Sequence, residues 1–351
     1  MTRSFRSFLV VAVALSMIDW RLPARADFVL TNGYSAYRLR EDGTLAFSYD
    51  SFLPPEIVNT IENYAEGGAT VNTDRRAVYV FSNSLGFADI IASDVDSGAY
   101  RPDLSMLLTF GIFLPPPDAY VFQARRPLFF EANPHGLGDL FVISGVFIGG
   151  GNAPDSQIKR FDTASRSFVE AIDPPTGEGF FDFAFGPDNR LYFSTSSAIF
   201  AYSEDPAQGF DAFDGPLAGP PLISNAHGFL AFGPDGNLYV SDSVTGNIDR
   251  YSTAGVFTDT FIPASALQNG GTIAFGPDGN LYVAECCFIT PYDFLAGISK
   301  YDGTTGQFLG RTLDGYLGPR DRIWILPIPE PTTLLLAMVG ATFAACLLRR
   351  R

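Results

Sequence analysis

Three stretches of this 351-residue chain spell nearly the same eleven residues, and no other feature limits its fold so severely. They are Phe183-Ala-Phe-Gly-Pro-Asp-Asn-Arg-Leu-Tyr-Phe193, Leu230-Ala-Phe-Gly-Pro-Asp-Gly-Asn-Leu-Tyr-Val240 and Ile273-Ala-Phe-Gly-Pro-Asp-Gly-Asn-Leu-Tyr-Val283. Their triplets begin at Gly186, Gly233 and Gly276, 47 and then 43 residues apart. Four short antiparallel strands with their turns take about 40–50 residues, the size of one β-propeller blade.

The spelling of the repeat has a physical basis. Pro277 presets φ at the second position of a type I turn, and Gly279 supplies the left-handed residue that rejoins the strands. Asn189 stands at that position in the first copy, and asparagine is the non-glycine residue that best tolerates it. Around the turn, Ile273 and Phe275, then Leu281 and Val283, alternate with smaller or polar residues, as half-buried strands do. A further strand pair completes each unit: 248–251 with 256–260, then 298–301 with 307–309. Weaker copies run backwards through 140–143, 158–161 and 167–169, with an insertion at 149–155, and through 77–81 and 89–93. A hairpin over 39–49, turning at Asp42-Gly43, opens the series. About six units therefore lie between 28 and 326, clearest over 180–315. The expected class is all-β, a six-bladed β-propeller with seven blades left open. Thirty-three Phe with 35 Gly and 25 Pro suit aromatic strands cut by turns better than helices.

The two ends read as addresses. Arg3 and Arg6, the apolar run 8–18 and the small residues Ala24 and Ala26 form a secretory signal over 1–26, cleaved before Asp27. That implies passage through the Sec translocon and cutting by signal peptidase. At the other end, Pro329-Glu330-Pro331 precedes an uncharged apolar run, 332–348, and then Arg349, Arg350 and Arg351. Seventeen helical residues cover about 25 Å, enough to cross the inner membrane as one transmembrane helix. The terminal arginines would hold that end in the cytoplasm and leave the body, 27–328, outside.

In its three ordered parts the tail, 329–351, resembles the PEP-CTERM sorting signal. The resemblance implies recognition and cutting by an exosortase of an exopolysaccharide-making Gram-negative bacterium. Pro329, Glu330 and Pro331 would then be the recognition element and not an active site. The body repeats, Asn237–Tyr251 above all, resemble NHL-type repeats over about 127–315. That resemblance implies a propeller whose innermost strands line a channel. The same architecture serves NHL interaction modules, gluconolactonase-like hydrolases and streptogramin-lyase-like enzymes, so fold alone selects none of them.

Charge narrows the partners. Acidic residues outnumber basic ones 38 to 23, and seven of the basic residues are arginines of the two terminal segments. A body this acidic repels nucleic acid and anionic head groups, and suits solubility outside the cell. Cys286 and Cys287 are adjacent and Cys346 lies in the apolar tail, so no disulfide framework can be drawn. The adjacent pair is either two small strand residues or a vicinal disulfide.

Candidate chemistry is sparse. His227, just before a first strand, resembles the Pro-His-Gly opening of streptogramin-lyase-like blades, and a histidine beside a carboxylate is a minimal hydrolase or lyase set. Glu178, Asp182 and Glu285 are carboxylates near strand ends, and His135 is the other histidine. The neighbouring copies carry Phe180 and Gly270 where His227 stands, so no polar ring repeats. Asp242 and Glu285 occupy equivalent positions and are candidate ligands of Ca²⁺ or another divalent ion. Thr195 replaces them in the preceding copy, which favours a turn-capping role. Gly149-Gly150-Gly151 reads as a loop, and no nucleotide cradle, zinc cluster or serine elbow is present. Two functions remain in view. One is a non-enzymatic surface protein, needing no cofactor, that binds exopolysaccharide. The other is a propeller hydrolase or lyase working at the channel.

Overall fold

The computed structural model describes residues 26–327 apart from 32–35, 41–43, 56–68, 73–76, 85–86, 108–129, 133–138, 145–156, 163–166, 175–177, 204–220, 226–227, 268–270, 291–292 and 315–321. Ala26–Leu326 form one compact unit; of the second unit, the two ends of the chain, only Pro327 is described. The described residues build six four-stranded sheets. Sheet I begins with β1 (Ala26–Thr31), β2 (Ala36–Leu39) and β3 (Leu45–Ser48). Sheet II holds β4 (Ala69–Asn72), β5 (Ala77–Ser84), β6 (Phe87–Asp94) and β7 (Met106–Leu107). Sheet III holds β8 (Phe130–Ala132), β9 (Asp139–Ser144), β10 (Gln157–Asp162) and β11 (Ser167–Ile172). Sheet IV holds β12 (Asp182–Phe185), β13 (Arg190–Ser194), β14 (Ala198–Ser203) and β15 (Ile223–Ser224). Sheet V holds β16 (Gly228–Phe232), β17 (Leu238–Asp242), β18 (Ile248–Tyr251) and β19 (Phe257–Ile262). Sheet VI holds β20 (Ile273–Phe275), β21 (Leu281–Thr290), β22 (Asp293–Tyr301) and β23 (Phe308–Asp314).

The last strand, β24 (Arg322–Pro327), hydrogen-bonds to β1 and completes sheet I. Here the structure departs from the expectation of consecutive units. The first sheet takes its fourth strand from the far end of the chain, so the hairpin over 39–49 falls at the β2–β3 side of it. Local periodicity carries no information about a partner some three hundred residues away.

In sheets II to VI each strand pairs antiparallel with the next. The turn between the first two strands forms as its spelling requires. The Gly279 N–H donates to the Gly276 carbonyl at 2.9 Å, and the Gly276 N–H donates to the Asn280 carbonyl at 2.9 Å. Residues 189, 236 and 279 have φ of 63°, 77° and 76°. A Cβ built on Gly279 meets nothing within 4 Å, so the cost of a side chain there is purely backbone strain. Gly279→Ala is expected to cost about 1–2 kcal/mol, read as a shift in the urea midpoint at unchanged slope.

The aspartate of the repeat has a second task. Tyr192, Tyr239 and Tyr282 donate their hydroxyls to Asp188, Asp235 and Asp278, at 2.7, 3.0 and 2.9 Å. A cation joins each pair: Arg190 at 2.8 Å from Asp188, Arg250 at 3.5 Å from Asp235 and Lys300 at 2.9 Å from Asp278. Close approach of this group requires glycine at the head of the turn. A Cβ on Gly233 would lie 2.5 Å from the Tyr239 ring and 2.6 Å from Asp235 Oδ1.

Burial pushes the three carboxyls upward, but their hydrogen bonds outweigh it and hold them below the usual carboxylate range. A depressed folded-state pKa gives stability that is complete above the unfolded value of about 4 and is lost as pH falls through the folded value. Melting temperature is therefore expected to fall below about pH 4, and less steeply in an Asp188→Asn/Asp235→Asn/Asp278→Asn variant.

The tyrosine rings also join the sheets. Tyr192 meets Phe232 of sheet V edge-on at 4.8 Å, and Tyr239 meets Phe275 of sheet VI at 4.8 Å. Phe141 meets Phe185 in the same way at 4.9 Å, across sheets III and IV. Tyr282 of the last sheet meets Phe28 of the first at 5.1 Å. Arg38, paired with Asp27 of its own sheet at 2.8 Å, donates to the Val95 carbonyl just after β6 of sheet II at 2.7 Å.

Candidate functional site

Antiparallel order puts the start of each first strand and the end of each second strand at the same end of sheets IV to VI, opposite the Gly-Pro-Asp turns. Asp182, Asp242 and Glu285, singled out by sequence, fall at that end. His227 directly precedes β16, but it and His135 lie outside the described residues. Glu285 is placed through its backbone in β21, opposite Gly297, and Cys286 and Cys287 lie opposite Ala296 and Leu295. Nothing of these three side chains is described.

Asp242 is described fully. It is buried at the end of β17, where Oδ1 accepts the Val244 N–H at 2.9 Å and Oδ2 accepts the Thr245 hydroxyl at 2.9 Å. Thr195 performs the same task one sheet earlier, its Oγ1 accepting the Ala198 N–H at 3.3 Å. Both therefore cap the turn between second and third strands, as the replacement of Asp by Thr suggested. Behind them Asp249 is buried; burial pushes its carboxyl up, against a 2.8 Å hydrogen bond from Thr260 and with help from the Asp242 and Asp259 carboxylates.

Sequence reasoning missed that this cap is a recurring device. Asp94, Asp242 and Asp302 each accept a hydroxyl three residues on, from Ser97, Thr245 and Thr305, at 2.7, 2.9 and 2.9 Å. Each carbonyl then accepts the N–H of the following Gly98, Gly246 or Gly306. The pattern Asp-x-x-Ser/Thr-Gly was there to be read. Asp242→Ala is expected to cost about 1–2 kcal/mol equally with and without chelator; a difference between the two would make Asp242 a metal ligand. Among the described residues no group of three His, Cys, Asp or Glu could hold a metal ion.

Polar groups at this end also fasten sheet IV to sheet V. Asp182, buried in β12, accepts the Leu230 N–H at 2.8 Å, and Ser194 donates to the Gly228 carbonyl at 2.7 Å. Asp182 is thus a fastening residue of the scaffold. Within sheet IV, the Asn225 N–H donates to the Ser197 carbonyl at 3.0 Å, with Asn225 at a left-handed φ of 59°. The Ser197 hydroxyl donates to Glu178 Oε1 at 2.7 Å. Glu178 Oε2 is shielded from solvent and accepts no hydrogen bond from the described residues. Close by in the chain, Phe181 packs against Phe229 of β16, with ring centres 5.1 Å apart and planes tilted by 56°. Both rings are partly exposed.

No helix among the described residues is long and apolar enough to cross a membrane. The signal segment up to Arg25 and the tail 328–351, with Pro329, Glu330, Pro331, Arg349, Arg350 and Arg351, lie outside them.

Residues 327–351 match the PEP-CTERM protein-sorting motif. No curated protein sequence matches the chain significantly. Among solved structures, the periplasmic gluconolactonase of Pseudomonas aeruginosa is 13% identical, with 87% of this chain and 100% of that one covered and a TM-score of 0.50. A gluconolactonase from Xanthomonas campestris is 16% identical over 79% of this chain and 94% of its own, with a TM-score of 0.47. A catalytically inactive virginiamycin B lyase from Staphylococcus aureus is 17% identical over 76% and 70%, with a TM-score of 0.42. At such identities the likeness is one of fold: the chain is all-β and propeller-like.

Proposed function

We propose that this protein is an exported six-bladed β-propeller, sorted to the cell surface or extracellular matrix by an exosortase, where it acts as a non-enzymatic binding or structural module. The observation that carries the reading is the PEP-CTERM motif at 327–351, which implies export, transient membrane anchoring and exosortase recognition. Six four-stranded sheets, with Tyr282 of the last against Phe28 of the first, support the blade number. On this reading 1–26 is the signal peptide, 27–328 the propeller and 329–351 the sorting tail. Asp242 and Asp182 support the non-enzymatic part, because the hydrogen bonds they accept tie them to turns and neighbouring strands.

The test is fractionation of the native host with intact-mass measurement. A surface or matrix form that begins at Asp27 and lacks the arginine tail is expected; a full-length form fixed in the inner membrane would reduce the tail to a plain anchor. Turnover of a lactone or cyclic ester that needs a divalent ion and is lost in His227→Ala would replace the binding module with a channel hydrolase or lyase.

A further inference from the structure

We infer that, until the tail is cut, the Gly-Pro-Asp end of sheets V, VI and I rests on the bilayer, with exposed apolar side chains of their outermost strands in its head-group layer. This rests on the reading of 329–351 as a sorting tail that inserts in the inner membrane. Both ends of the propeller chain leave sheet I at this end. β1 begins here, since Phe28 lies opposite Leu39 beside the β2–β3 turn. β23 finishes at the other end of sheet VI, where Asp314 lies opposite Gly297, and only seven residues, 315–321, lead from it to β24. A connection so short starts β24 at that far end and brings it to Pro327 beside the start of β1. The strand thus takes the place in sheet I that β12, β16 and β20 take in theirs. From Pro327 to Thr332, where the apolar run begins, five Cα steps reach at most about 18 Å. A tail inserted from Thr332 onward therefore holds this end of the body within that distance of the membrane.

The surface at this end fits such a neighbour. Leu45, Phe257 and Phe308 are equivalent residues, each the first paired residue of an outermost strand, opposite Leu39, Tyr251 and Tyr301. Val256 and Leu309 flank two of them, and all five side chains are more than half exposed. Among the described residues only Phe52 and Val244 are further exposed large apolar side chains, and both lie past the opposite ends of β3 and β17. Apolar residues scattered singly over a surface need no explanation, whereas five gathered at one end of three neighbouring sheets mark a contact. The two phenylalanines are also held in place, their rings edge-on to Tyr251 and Tyr301 with centres 5.6 and 5.5 Å apart. Rings fixed this way suit the head-group layer of a bilayer, which takes apolar area out of water without full insertion. The chain's charge of −15 selects neutral over anionic head groups. The opposite end, where β17 finishes at Asp242, then faces outward.

The experiment inserts the purified full chain into vesicles of phosphatidylcholine brominated near the head group, collects the floating fraction and reads tryptophan emission against unbrominated vesicles. Phe257→Trp, Phe308→Trp and Val244→Trp are compared with the parent chain, whose Trp20 and Trp324 set the background. Most of the emission added at 257 and at 308 is expected to be lost in the brominated vesicles, and that added at 244 to be kept. Floating chain without extra quenching at 257 or 308 would overturn the docking and leave the inserted tail intact. Quenching at 244 as strong as at 257 and 308 would show that no one end is held to the bilayer, and would overturn the docking as well. A chain that does not float would overturn the reading of the tail as a membrane segment, and the docking with it.

Discussion

Replacing Tyr282 with alanine is expected to destabilise the protein by about 3–5 kcal/mol, more than any other single change considered. Three losses coincide at this residue. Its side chain is fully buried, so truncation leaves a cavity in the last sheet. Its ring edge against Phe28, at 5.1 Å, joins the last sheet to the first. Its hydroxyl is a donor to Asp278, a carboxylate that also holds Lys300 at 2.9 Å. Variants separate these contributions. Tyr282→Phe keeps the ring and removes only the hydroxyl, for about 1 kcal/mol. Phe28→Ala removes the other side of the ring pair, and the double variant measures their coupling, expected at about 0.5–1.5 kcal/mol. Unfolding in urea reads all four proteins. Strictly additive losses would mean that the two rings do not clasp the first sheet to the last.

The same residue illustrates what the sequence made legible. The Leu-Tyr-Val spelling placed Tyr282 on a strand, and the Gly-Pro-Asp spacing gave the number of strands per unit. Both are local signals, fixed by turn chemistry and by a two-residue alternation. The partners of Tyr282 were not legible. Asp278 is four residues away, yet its bond to the hydroxyl depends on the chain doubling back through a left-handed Gly279. Phe28 lies at the opposite end of the chain and carries no repeat spelling of its own. Strand β24 was hidden for the same reason: Arg322–Pro327 has no Gly-Pro-Asp turn beside it, and its pairing with β1 is long-range. The candidate site divides along the same line. Asp242 accepts hydrogen bonds from its turn as Thr195 does at the equivalent position, a likeness that the alignment of the repeats exposes. The hydrogen bonds that link Glu178, Ser197 and Asn225 gather residues from three separate turns around sheet IV, and no period in the sequence links those residues.

Alanine at Pro329, Glu330 and Pro331 together is expected to abolish processing in the native host, leaving the full-length chain in the inner membrane. Two independent properties are combined in this tail, and separate variants distinguish them. On the proposed reading recognition uses the triplet, which lies within the residues that match the PEP-CTERM motif. On the same reading anchoring uses insertion of the apolar run 332–348, whose seventeen uncharged residues would, as a helix, be barely long enough for the hydrocarbon core. Each leucine of that run favours insertion by only about 0.3–0.6 kcal/mol, whereas an arginine at its centre opposes it by about 2.5–3.5 kcal/mol. Gly340→Arg is therefore expected to leave an uncut chain that is soluble after export, because an enzyme of the membrane no longer meets its substrate there. Exchanging Arg349, Arg350 and Arg351 for serine removes the charge that holds the end in the cytoplasm, and is expected to give the same release in part. Immunoblots of membrane, periplasm and medium, with intact mass of each band, read the result. Normal cutting of the triplet variant would show that the recognition element lies elsewhere in the tail. Normal cutting of Gly340→Arg would show that processing does not depend on insertion, and the tail would then act as a soluble peptide signal instead of a membrane-presented one.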